Sequence, residues 1–138
     1  MNPAPPPLPD IRGVVGGFAS DGSLLLSGDA EAIARLAELF ERHQPGEYVL
    51  AGGEPLAPPF DNRLRWLSLA TTTGRLLISR NQDIVCFAAS EHVHGLLARD
   101  LRSLLTDPSG EGNHLHFDYF PDHPLLEEGT EELVVELQ

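Results

Sequence analysis

The sequence predicts an α+β fold, with two helices packed on one face of a largely antiparallel sheet of about eight strands. Three observations lead there. Two segments space their apolar residues at helical intervals, and several shorter ones are rich in β-branched and aromatic residues bounded by turn formers. The order of these segments also repeats between the two halves of the chain. With 138 residues, 41% of them hydrophobic and 22% charged, the chain suits one globular core.

The first ten residues, MNPAPPPLPD, hold five prolines and read as a disordered polyproline leader over 1–10, without the basic and apolar regions of a signal peptide. The folded domain is expected over 11–138. Apolar stretches at 11–18 and 24–26 flank Ser20-Asp21-Gly22-Ser23, a turn that Asp-Gly favours, giving a hairpin. The segment SGDAEAIARLAELFERH follows, with Ser27 or Asp29 as N-cap and Ile33, Leu36, Ala37 and Phe40 on one helical face. That helix stops before Pro45-Gly46. Next come Tyr48-Val49-Leu50, a Gly/Pro loop at 52–59 and a strand over 64–73. The pairs Gly16-Gly17 and Gly52-Gly53 read as a strand bulge and a turn.

The second half replays this order. Leu76-Leu77-Ile78 and Ile84-Val85-Cys86-Phe87 form a hairpin around Arg80-Asn81-Gln82-Asp83. A helix over 90–105, capped by Ser90, carries Val93, Leu97, Leu101 and Leu104 on one face and ends at Asp107-Pro108-Ser109-Gly110. Strands at 114–120 and 133–137 enclose a Pro/acid loop. Leu36 falls on Leu97 at an offset of 61, Leu50 on Phe117 at 67 and Leu69 on Leu137 at 68, so the offset grows at loops. Two ββαββ pseudo-repeats, 11–73 and 74–138, follow. Each of about 60 residues is too small to bury a core alone, so they should share one.

Charge narrows function. Nine Arg, no Lys and 21 acids give a net charge of −12, which disfavours phosphate backbones and anionic lipid; nucleic acid and membrane are excluded as partners. Cys86, the single cysteine, lies in an apolar run and reads as a packed thiol. No apolar run is long enough for a membrane span, so the expected location is cytoplasmic. Phosphate-cradling glycine loops, nucleophile elbows and cysteine clusters are missing from the sequence, and neither an enzyme nor a cofactor is expected.

The densest polar cluster runs from His114 to Pro124. Strand alternation sends His114, His116 and Asp118 to one side and Leu115, Phe117 and Tyr119 to the core. Two imidazoles and a carboxylate are ligand types for zinc, nickel or copper, given a further ligand such as His123, His92 or His94; otherwise they form a solvated face. His92 and His94 lie about 200° apart around their helix and cannot face one ligand. Between Asp118 and Glu136 stand seven acids and no Arg, beside Tyr119 and Phe120, the mixture a surface for a basic partner uses.

From Ser-Glu-His-Val at 90–93 through HLHFDYFPDHPLL to the closing EELVVEL, the chain resembles the immunity protein 32 family of bacterial polymorphic toxin systems. His114, His116, Asp118, Tyr119, His123 and Pro124 carry the resemblance, which covers about the last third of the chain. It implies a small antitoxin that binds and neutralises a cognate toxin domain. Many such toxins are nucleases, basic because they hold phosphates, and an acidic inhibitor gains association rate against them. Asp118, Tyr119, Asp122, Glu127 and Glu128 are the expected partner-binding residues.

Two other readings compete. A duplicated α+β chain of this size resembles vicinal-oxygen-chelate proteins in general plan, which makes a metal- or small-molecule-binding module on His114, His116 and Asp118 the alternative. Open sheet edges would also allow a homodimer.

Overall fold

A computed structural model describes residues 7–52, 57–106 and 113–138. Most of the proline leader, Gly53 with the middle of the Gly/Pro loop, and the helix stop at Asp107-Pro108-Ser109-Gly110 lie outside the described residues.

β1 (Val15–Phe18) and β2 (Leu24–Gly28) form the first hairpin, turning where Gly22 takes φ 96° and the Asp21 carboxylate accepts from the Ser23 N–H at 2.9 Å. α1 (Ala30–Arg42) is capped by Asp29, whose carboxylate accepts from the Ala32 N–H at 2.8 Å. Ser27 stays in β2 instead, its hydroxyl donating to Glu136 at 3.5 Å. The helix closes at His43, which adopts a left-handed φ of 37°. β3 (Gly46–Val49), β4 (Asn62–Leu64) and β5 (Trp66–Thr71) follow.

The strand expected over 64–73 is thus broken. The N–H groups of Arg65 and Trp66 both donate to the Asp83 carbonyl, at 2.8 and 3.2 Å, and the chain leaves one sheet for another at that point. β6 (Leu77–Asn81) and β7 (Ile84–Ala89) make the second hairpin, and α2 (Glu91–Thr106) begins where the Ser90 hydroxyl accepts from the Val93 N–H at 3.2 Å. β8 (His114–Phe117) ends three residues earlier than alternation suggested, and β9 (Leu133–Leu137) closes the fold.

The class is α+β, as expected, but the strands divide between two mixed sheets, β4-β1-β2-β9-β8 and β3-β5-β7-β6. The pairs β2/β9 and β5/β7 are parallel and the rest antiparallel. Each sheet combines a hairpin from one half with strands from the other: β1-β2-β9-β8 and β6-β7-β5-β3 have the same order and the same sense. Hydrophobic pattern specifies which face of a strand is buried and leaves its neighbour open, which is why a single sheet was expected.

Both sheets turn one face to a common core. Leu24, Leu26, Phe117, Leu133 and Val135 come from the larger sheet, and Leu67, Leu69, Ile78, Val85 and Phe87 from the smaller. Ile33, Leu36, Leu97 and Leu101 enter from the helices, each such side chain contributing about 1.5–3 kcal/mol by burial. α1 meets β7 through the Phe40 and Phe87 rings, 4.9 Å apart, and meets α2 through Glu41, which accepts from both Nε and Nη2 of Arg102. Gly16 is no bulge: it pairs in register with Leu26 and Leu64, and a Cβ there would lie 2.9 Å from Leu50 Cδ1 and Leu64 Cβ. Cys86 points away from the core, half-buried between Ser68 and Ser79 on neighbouring strands.

Candidate partner-binding surface

The acidic connection between β8 and β9 is braced along its length. Beyond Phe117, Asp118 is exposed, Tyr119 packs half-buried against the core and Phe120 stands 54% exposed. Phe120-Pro121-Asp122-His123 then make a tight turn, with the His123 N–H donating to the Phe120 carbonyl at 3.0 Å and Asp122 at φ 64°. The His123 ring packs 4.5 Å from that of Phe120, and its Nδ1 accepts from the N–H groups of Leu125 and Leu126 at 3.0 and 2.9 Å. Those bonds place the ring proton on Nε2.

Leu125 and Leu126 are buried, and from here the connection runs along the free edge of β6. The Glu127 N–H donates to the Leu76 carbonyl at 2.8 Å and the Glu131 N–H to Ile78 at 2.8 Å, while the Thr130 hydroxyl donates to the Leu76 carbonyl at 3.1 Å. The Glu132 carbonyl accepts from the Leu24 N–H at 2.8 Å. One connection therefore ties the smaller sheet to the larger and covers an edge that would otherwise invite pairing.

The expected residues separate by role. Asp118 and Asp122 are exposed around the turn, and Glu127 and Glu128 are exposed farther along the connection, on backbone fixed to β6. Tyr119 is mainly a packing residue. Phe120, expected beside the acids but not among the contact residues, is exposed by the same alternation that exposes His116 and Asp118.

The charges of this segment are unspent. Elsewhere Asp10 pairs with Arg12, Glu31 with Arg35, Glu38 with Arg42, Glu41 with Arg102, Asp83 with Arg65 and Glu91 with His43. Two of these pairings move a pKa: the hydrogen-bonded Arg12 guanidinium lowers Asp10 to about 2, and Arg102 lowers Glu41. None of the seven carboxylates between Asp118 and Glu136 forms an ion pair with a described residue.

His114 and His116 project from β8 with their rings 4.7 Å apart, exposed as expected. Asp118 lies past the strand end, and among the described residues no three His, Cys, Asp or Glu side chains converge as a metal site would require. His92 is exposed while His94 is fully buried, its Nε2 3.0 Å from the Ala70 carbonyl.

Fold and surface together describe a small acidic α+β protein that presents unpaired carboxylates and one exposed aromatic ring on a braced connection. Its C-terminal third is similar to a known family: the profile of immunity protein 32 matches residues 95–138, which include most of α2, both strands β8 and β9 and the whole acidic connection. No curated protein and no solved structure matches the chain. Among the described residues no helix is long and apolar enough to cross a membrane.

Proposed function

We propose that this protein is an immunity protein that acts by binding, without catalysis, in the cytoplasm, and that the connection between β8 and β9 docks on a basic face of a cognate toxin domain, a nuclease by charge. The observation that carries this reading is the contrast in charge pairing. Six of the eleven described acids elsewhere are paired with Arg or His, whereas none of the seven at 118–136 is, and the connection that carries most of them is tied by backbone bonds to Leu76 and Ile78. The family match falls on the same stretch. A preformed surface loses little entropy on docking, and its field speeds encounter.

In this reading Asp118, Asp122, Glu127 and Glu128 supply charge and Phe120 supplies the apolar anchor, with Tyr119 bracing the turn from the core side. The two halves, 11–73 and 74–138, act as one domain, because the docking connection gains its rigidity from strands of both sheets. The test is association kinetics against the cognate toxin domain. Replacing Glu127→Lys and Glu128→Lys together should slow association about tenfold at low salt and flatten its dependence on ionic strength. Unchanged kinetics would remove the connection from the interface.

A further inference from the structure

The outward face of the smaller sheet carries a row of apolar side chains that no element among the described residues covers. Val49 on β3 lies opposite Trp66 on β5, and Trp66 lies beside Ile84 on β7. Trp66 is 38% exposed and Val49 42%, because strand alternation gives the core face to Leu67 and Leu69. The next row, Glu47, Ser68, Cys86 and Ser79, is mainly polar, so the apolar strip is narrow and bounded.

Val49 and Trp66 line a groove of about 500 Å³ together with Arg12, Arg63 and Arg65, a third of all the arginines in a chain of net charge −12. Two of these cations are already matched, Arg12 by Asp10 at 2.7 Å and Arg65 by Asp83 at 3.5 Å. Arg63 is not. Its guanidinium donates to the Ala51 carbonyl at 3.2 Å and meets no carboxylate among the described residues. The groove thus offers one uncommitted, half-buried guanidinium next to an exposed indole, with two further arginines at hand. Arg and Trp are the side chains that most often dominate binding energy at protein interfaces.

We propose that this groove is a second docking site, which takes a carboxylate-bearing segment of a protein partner: an Asp or Glu on Arg63 with a neighbouring aromatic or aliphatic side chain on Val49 and Trp66. The occupant is a peptide and not a nucleic acid, because the net charge of the molecule repels a continuous phosphate backbone while a short acidic segment needs only the local field. The site is independent of the toxin reading. Its charge is opposite to that of the β8–β9 connection, so a basic surface suited to that connection is repelled here.

Trp66 is the only tryptophan, so its emission reports on this groove alone. The protein is titrated at low salt with a short peptide carrying glutamates on both sides of one phenylalanine, with a lysine counterpart and with oligo(dT) as comparisons. The acidic peptide should give a saturable change in emission, weakened about tenfold by Arg63→Glu, with the fold of that variant checked by circular dichroism. The lysine peptide should give none. Absence of saturation with the acidic peptide, an equal response to the lysine peptide, insensitivity to Arg63→Glu, or tighter binding of oligo(dT) would each overturn the assignment.

Discussion

Asp122 combines a backbone demand with a chemical one. Its φ of 64° lies in the left-handed region, where a β-carbon costs about 1 kcal/mol and Asp is tolerated better than most residues. Its carboxylate belongs to the unpaired set. Replacement by Ala and by Gly separates the two demands. Asp122→Ala should unfold at lower urea than Asp122→Gly, by about 1 kcal/mol, while both slow association with a basic partner to the same degree. Gly16 makes a purely steric demand. Because a Cβ there would press on Leu50 and Leu64 at 2.9 Å, Gly16→Ala should cost about 1–3 kcal/mol in urea denaturation and leave the acidic connection unaffected.

At the scale of elements, both helices were legible, because capping residues and apolar spacing are local signals: Asp29 and Ser90 cap as expected, and Val93, Leu97, Leu101 and Leu104 are buried. The exposed histidines of β8 were legible for the same reason. What local pattern does not carry is partnership between distant strands. Arg65 has nothing in its neighbourhood to announce a sheet switch, since the bonds that cause it come from Asp83. Nor does sequence reveal that the Glu127 backbone is pinned by Leu76.

His94 on α2 is a further case, since its neighbours come from other elements. Its ring stacks 5.8 Å from Phe40 and its Nδ1 has no hydrogen-bond partner among the described residues. Burial holds its pKa below the ordinary 6.5, against the opposing pull of the Ala70 carbonyl, and nearby His43 pushes downward as burial does. In the fold this imidazole resists a proton that it accepts readily once unfolded. Its contribution to stability is therefore complete above 6.5 and is lost as pH falls through the lowered folded-state value. Urea midpoints measured down from neutral pH should decline across that window, and less steeply in His94→Gln, which keeps a donor for Ala70.

For the whole molecule, the decisive feature is that neither half holds its own sheet together. β2 finds its parallel neighbour β9 in the second half, and β7 finds β5 in the first. Cut between Thr73 and Gly74, the first piece would keep the β1–β2 hairpin, α1 and β3 to β5, but expose the core faces of Leu24, Leu26, Leu67 and Leu69, which meet residues of the other piece. A unit of about 60 residues with an open core is marginal at best. Each fragment alone should therefore lack cooperative unfolding and give weak far-ultraviolet dichroism. Mixed at equal concentration, the two should restore the dichroism and a cooperative transition, because the contacts that complete each sheet are all between them. If the first fragment folded alone with a sharp melting transition, the exchange of strands would not be what stabilises the fold. Cooperative recovery only on mixing would show that stability resides in the interlock, which the acidic connection joins through the bond from the Leu24 N–H to the Glu132 carbonyl.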